Sequence, residues 1–203
     1  MGLHALRSCG ALVLFALLVC SPLGCKSPAQ ETAGNKPIAD SDCLPNISLT
    51  DQRGGAINLS SLKGKPVLFD FIYTSCPGPC GMMTSKMTRI ADLFGQGLGS
   101  KVNLISITVD PEHDGPSQLR SYAKEQNADR TGWLFLTGKP PQIEQVMSGF
   151  RLRRIRYPDG SIDHVLGFFL VGPDGRLQNE YLPTEVKPET VAGDADRLAS
   201  QGN

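Results

Sequence analysis

The sequence predicts an α/β domain: a central mixed sheet flanked by helices, opened by an N-terminal β-hairpin. Three observations carry this. Two near-continuous apolar runs, 67–73 and 102–109, read as strands covered on both faces. Segments with helical spacing follow each of them, and alternation of strand and helix implies a sheet with helices packed on it. The 22 Gly and 15 Pro among 203 residues call for many short connections rather than a long-helix bundle.

The elements are expected in this order. Residues 47–49 and 56–59 flank Asp51-Gln52-Arg53-Gly54-Gly55 and form a short hairpin. The strand at 67–73 leads into a helix over 80–94, with Met83, Met87, Ile90, Ala91 and Phe94 on one face. Gly95 to Ser100 is read as a plain connection to the strand at 102–109. A helix over 115–126 turns Leu119, Tyr122 and Ala123 inward, and a short strand covers 133–136. A helix over 140–150 begins at proline, which suits a first helical position. Strands at 165–171 and 176–182 join across Gly172-Pro173-Asp174-Gly175, a turn sequence. A terminal helix is expected over 188–200. No internal repeat and no second domain are visible.

Composition excludes some functions. Lys+Arg and Asp+Glu are 20 each, so the formal charge is zero, against the basic excess of a nucleic-acid binder. Hydrophobic residues make up 40% and charged residues 20%, enough core and too little charge for a disordered chain.

The N-terminus reads as an address. Arg7 precedes an apolar run from Ala11 to Val19, shorter than the ~20 residues a membrane span needs. Leu23-Gly24-Cys25 resembles the end of a bacterial lipobox, although Pro22 stands where Leu is usual. The expectation is a signal peptide over 1–24, a lipidated Cys25, a polar tether over 25–43 and a folded domain over 44–203. Such a chain is exported and anchored to the cell membrane, facing the periplasm or the outside of a bacterium.

Beyond the signal and Cys25, the thiols are Cys43, Cys76 and Cys80, too few for a disulfide-stapled scaffold. Cys76-Pro77-Gly78-Pro79-Cys80 lies between the first buried strand and its helix, at the sheet edge where α/β folds hold ligands. A reactive Cys motif at that junction is the thioredoxin-like pattern. Cys80 begins the helix, whose positive N-terminal end is expected to favour its thiolate. Two thiolates are soft donors suited to Cu(I) or Zn. The three-residue spacer gives the sulfurs freedom to grip an ion, yet a disulfide stays open.

Only two histidines lie beyond the signal, His113 and His164. His164 is read at the start of the 165–171 strand, where a neutral imidazole would complete a Cys2His set. His113, among carboxylates, is read as turn chemistry. Met82, Met83 and Met87 are read as core rather than as copper donors, and Cys43 as incidental.

Gly64 to Pro77, then Cys80, then Val109-Asp110-Pro111-Glu112, then Asp163-His164 ahead of Gly172-Pro173-Asp174-Gly175 together resemble the Sco/SenC family, over about residues 44–200. The resemblance implies a thioredoxin-like copper protein with Cys76, Cys80 and His164 as ligands of Cu(I) or Cu(II). It implies delivery of copper to the dinuclear site of cytochrome c oxidase subunit II, or service to another exported copper protein. It also implies an alternative: a thiol–disulfide oxidoreductase using Cys76 and Cys80. The family often has proline after the second cysteine; here Gly81 stands there and Pro79 precedes it.

Overall fold

The computed structural model describes residues 43–201. The chain runs β1 (Ser48–Asp51), β2 (Ala56–Asn58), a 3-10 turn (Leu59–Leu62), β3 (Val67–Ile72), α1 (Pro79–Phe94), a second 3-10 turn (Gly95–Gly97) and β4 (Asn103–Thr108). It continues through α2 (Pro116–Glu125), β5 (Trp133–Thr137), α3 (Pro140–Gly149), β6 (Arg154–Arg156), β7 (Ile162–His164), β8 (Phe168–Val171), β9 (Leu177–Tyr181) and α4 (Pro188–Gln201). The signal segment expected at 1–24 and all of the tether expected at 25–43 except Cys43, with the Cys25 anchor, lie outside the described residues. Among the described residues no helix is long and apolar enough to cross a membrane.

Seven strands form one sheet in the order β2-β1-β5-β4-β3-β8-β9. Strands β3, β4 and β5 are parallel, while β1, β8 and β9 join antiparallel, so the sheet is mixed as expected. All six residues of β3 are buried, which is why its sequence shows no alternation. Phe69, Phe71, Phe150 and Phe169 meet at centroid separations of 5.0 to 5.8 Å in tilted or edge-on pairs. Helix α1 buries Cys80, Met83, Met87, Ile90, Ala91 and Phe94 and packs against α4.

Three details depart from expectation. The stretch 95–100 is not a plain connection: it holds a 3-10 turn and a bridge from Leu98 to Val102. The strand expected at 165–171 starts only at Phe168. His164 instead ends β7, which pairs with β6 in a separate two-stranded ribbon. Gly167 passes so near the Phe169 ring that a Cβ there would lie 2.8 Å from it, and Val165 is exposed. The ribbon turns at Tyr157–Ser161, where the Asp159 carboxylate accepts from the Ser161 amide and hydroxyl. Gly160 takes a positive φ of 86° there.

One buried polar group stands out in β3. Asp70 is fully buried, and neither carboxyl oxygen finds a well-formed hydrogen bond. Ser106 is its register partner on β4, but that hydroxyl accepts from Trp133 Nε1 at 3.0 Å. Burial pushes the carboxyl from 3.8 up to about 7, and Ser106 only tempers the rise. The folded state therefore holds a proton that the unfolded state has released, so stability falls as pH climbs from 3.8 to about 7 and levels above it. Asp70→Asn removes this dependence. In urea titrations the variant gains on wild type steadily from about pH 4 to about pH 7 and no further; a constant difference across that range would contradict the assignment.

Candidate metal centre

Strand β3 ends at Ile72, and residues 73–78 carry the chain over the sheet edge into α1. Pro79 occupies the first helical turn and Gly78 caps it without a side-chain bond. This brings the two cysteines near enough for each to shift the acidity of the other. Cys76 is partly exposed, whereas Cys80 is 1% exposed.

The two thiols have opposite electrostatics. Burial alone would raise Cys76. Hydrogen bonds from the Cys80 thiol, from the Gly78 and Cys80 amides and from Tyr73 outweigh it, and Cys76 lies below its ordinary value. Burial first, then its bond to Cys76, push Cys80 well above the ordinary thiol range, and the field of Asp70 adds to the rise. This corrects the expectation from the helix terminus. A helix dipole supplies about 1 kcal/mol, less than one pKa unit, and desolvation of a buried group supplies several units.

His164 stands across a cleft of about 230 Å³ walled by Tyr73, Cys76, Pro77, Pro79, Ile162 and Leu166. Burial lowers its pKa, so the ring is neutral at physiological pH. Its Nδ1 lies 3.2 Å from the Val165 carbonyl, which requires the proton on Nδ1 and leaves the Nε2 lone pair for a ligand. The Tyr73 ring meets the imidazole edge-on at 6.2 Å. Burial, then the hydrogen bond with Cys76, raise the Tyr73 phenol, while the Ile162 backbone draws it back.

The structure thus joins Cys76 to Cys80 and sets His164 on the facing wall. It does not close the three into a ready-made cage: among the described residues no three His, Cys, Asp or Glu side chains are gathered around one point. Two thiols and a neutral imidazole still form a soft donor set that fits copper. His113 points elsewhere, pairing with Asp110 at 2.9 Å. Met83 and Met87 are core, and Met82 is exposed. Cys43 is buried, its thiol donating to the Gly149 carbonyl.

Sequence reasoning missed the groups that hold this site. Asp114 accepts from the Thr74 amide at 2.9 Å and from the Thr74 and Thr108 hydroxyls, anchoring the chain two residues before Cys76. Glu112 takes both arms of Arg154 at 2.8 Å. Arg156 pairs with Asp110, and with Glu112 at 3.2 Å. The signal was present as two opposed runs, the acids of 110–114 and the arginines of 151–156.

A parallel-centred sheet with a dithiol at the first strand-to-helix junction defines a thioredoxin-like protein. The SCO1/SenC family model matches residues 36–200, and the chain belongs to that family. A curated relative, the SCO1 protein homolog of Bacillus subtilis, is 36% identical over 145 residues, spanning 70% of this chain and 75% of its own. Among solved structures, Bradyrhizobium japonicum ScoI with copper bound is 33% identical, with TM-score 0.65 over 75% of this chain and 96% of that one. BsSco, a member of the Sco family of cytochrome c oxidase assembly proteins with an identified disulfide switch, is 31% identical, with TM-score 0.70 over 82% and 98%. A SCO1/SenC family lipoprotein from Bacillus anthracis is 26% identical, with TM-score 0.73 over 82% and 99%.

The thiol asymmetry sets an order of reaction. At neutral pH limiting iodoacetamide should label Cys76 well ahead of Cys80, read by peptide mass mapping. Equal labelling, or Cys80 first, would contradict the electrostatics.

Proposed function

We propose that this protein is an exported, membrane-tethered copper carrier for assembly of the dinuclear copper site of cytochrome c oxidase. Cys76, Cys80 and His164 hold the metal. Copper is its cargo, and oxidase subunit II or another exported copper protein is the recipient. The signal segment 1–24, a lipid on Cys25 and the tether 25–43 would keep the domain at the membrane surface. The naming of a relative as a lipoprotein, and of others as copper-bound or as oxidase assembly proteins, supports this reading.

The observation that carries it is a neutral imidazole with its Nε2 lone pair free, sharing one small cleft with Cys76, behind which Cys80 lies buried. A dithiol oxidoreductase needs the sulfurs but has no use for that imidazole.

The opposed thiols favour a second reading, thiol–disulfide exchange. The Cys76 thiolate attacks a target disulfide, forming a mixed disulfide and releasing one target thiolate. Cys80 then gives its proton to that released thiolate and attacks the Cys76 sulfur, and the second target sulfur takes its proton from water. The target leaves as a dithiol, reduced by two electrons, and Cys76–Cys80 becomes the disulfide. Both activities serve one end, because a cysteine copper site must be reduced before it is filled.

The reduced protein should bind about one copper ion per chain, with intense sulfur-to-Cu(II) charge-transfer absorption. His164→Ala should weaken binding by at least about tenfold; unchanged affinity would overturn the ligand set. For the second reading, His164→Ala should leave the Cys76–Cys80 reduction potential and the rate of exchange with a protein disulfide unaltered. A large shift in either would tie the imidazole to thiol chemistry and count against the division of roles.

A further inference from the structure

The ribbon β6–β7 is joined to the seven-stranded sheet by no strand pairing. Two short strands alone are marginal in water. Arg154↔His164, Ile155↔Asp163 and Arg156↔Ile162 are its rungs. Of these residues Ile162 is buried, while Ile155 is 56% exposed, so apolar burial gives the ribbon only a narrow footing.

The arginine side supplies the rest. Arg154 sits directly opposite His164 and is itself 10% exposed. Its guanidinium donates to the Val109 carbonyl at 2.7 Å and forks onto both oxygens of Glu112 at 2.8 Å, with Glu144 further off at 3.6 Å. A planar fork of this kind fixes direction as well as distance. The hydrogen bonds from Arg154 hold Glu112 down to about 2, so the pair stays charged throughout the physiological range.

The same turn grips the other half of the site. Asp114, two residues after Glu112, is buried and holds Thr74 through its amide and hydroxyl. Its own amide bonds to the Asp110 carbonyl at 2.8 Å, which makes 110–114 a rigid unit. One short turn therefore touches the chain two residues before Cys76 and the rung that carries His164.

We propose that Glu112 and Arg154 are positioning residues for the metal site: their ion pair sets the reach of His164 toward Cys76 and Cys80. This rests on the copper reading above. Neither residue is a ligand. Each acts through the ribbon, and the turn 110–114 is the common frame from which thiols and imidazole are measured.

The test is a cycle of copper affinities, by chelator competition, for wild type, Glu112→Gln, His164→Ala and the double variant. Glu112→Gln should weaken binding about 10- to 100-fold and should have little effect once His164 is gone. No loss in Glu112→Gln, or an equal loss with and without His164, would overturn the proposal. A metal-free arm runs beside it. Amide hydrogen exchange over 154–164 should quicken roughly two- to fivefold in Glu112→Gln, with β3 and β4 unchanged. Unaltered exchange there, or a rise spread over the whole sheet, would equally overturn it. If wild type bound no copper, the proposed function would fall while the exchange arm still judged the clamp.

Discussion

The burial of β3 between β4 and β8 is the constraint on which the site depends. All six of its residues are inside, paired parallel on one edge and antiparallel on the other. A strand so enclosed cannot slide, because a one-residue slip would flip every side chain to the opposite face. Its end at Ile72 is thereby fixed, and the thiol loop begins from a rigid point. The Val109 amide bonds to the Ile72 carbonyl at 2.8 Å, which locks the start of the acidic turn to the same spot. Two parallel neighbours thus end side by side, one leading to the thiols and the other to the acidic turn that holds Thr74.

The interior also sets the chemistry of the sulfurs. Cys80 is within the core cluster and Cys76 packs only at its margin. A buried thiol resists ionising because the thiolate would lose its hydration. Its proton is then best used as a hydrogen bond to the neighbouring sulfur, which is what draws Cys76 downward. Asp70 deepens the contrast from beneath, since whenever it ionises it opposes a second negative charge at Cys80. The two thiols thus differ in acidity, a division created by depth in the fold rather than by residue type.

Much of the fold was legible because it is written in apolar periodicity. The near-continuous apolar runs of β3 and β4 read as doubly covered strands, and the faces of α1, α2 and α3 follow the 3.6-residue period. The dithiol and His164 were legible as residue types in place. The ribbon was not, for it is three residues a side and lacks the alternation that marks a half-buried strand: Arg154 and Arg156 face carboxylates and Ile155 faces solvent. The Gly167 approach to Phe169, between β7 and β8, depends on a ring two residues away, and no local pattern announces it. The expected helix-terminus effect on Cys80 is overridden for a related reason. A helix start is visible in sequence, but the depth at which it is buried is not.

Copper binding and disulfide exchange, the two proposed chemistries, place the same demand on Cys80. Both require Cys80 to give up a strongly held proton, whether to let its sulfur bond to Cys76 or to let it bind a metal. Water at neutral pH does not remove that proton from so buried a group. A soft cation does, because the metal–sulfur bond replaces the lost hydration. A mixed disulfide on Cys76 eases the loss differently: Cys76 no longer carries a charge that opposes the Cys80 thiolate, and the thiolate released from the target can take the proton. The resting dithiol is therefore guarded against both reactions, and what selects between them is the arriving species. On the proposed ligand set the imidazole on the ribbon would break the tie, since it would add a third donor to a cation and nothing to a disulfide. A fold that had only electron exchange to perform would have no reason to hold a neutral histidine, with its ring tautomer fixed by a backbone carbonyl, over the same cleft.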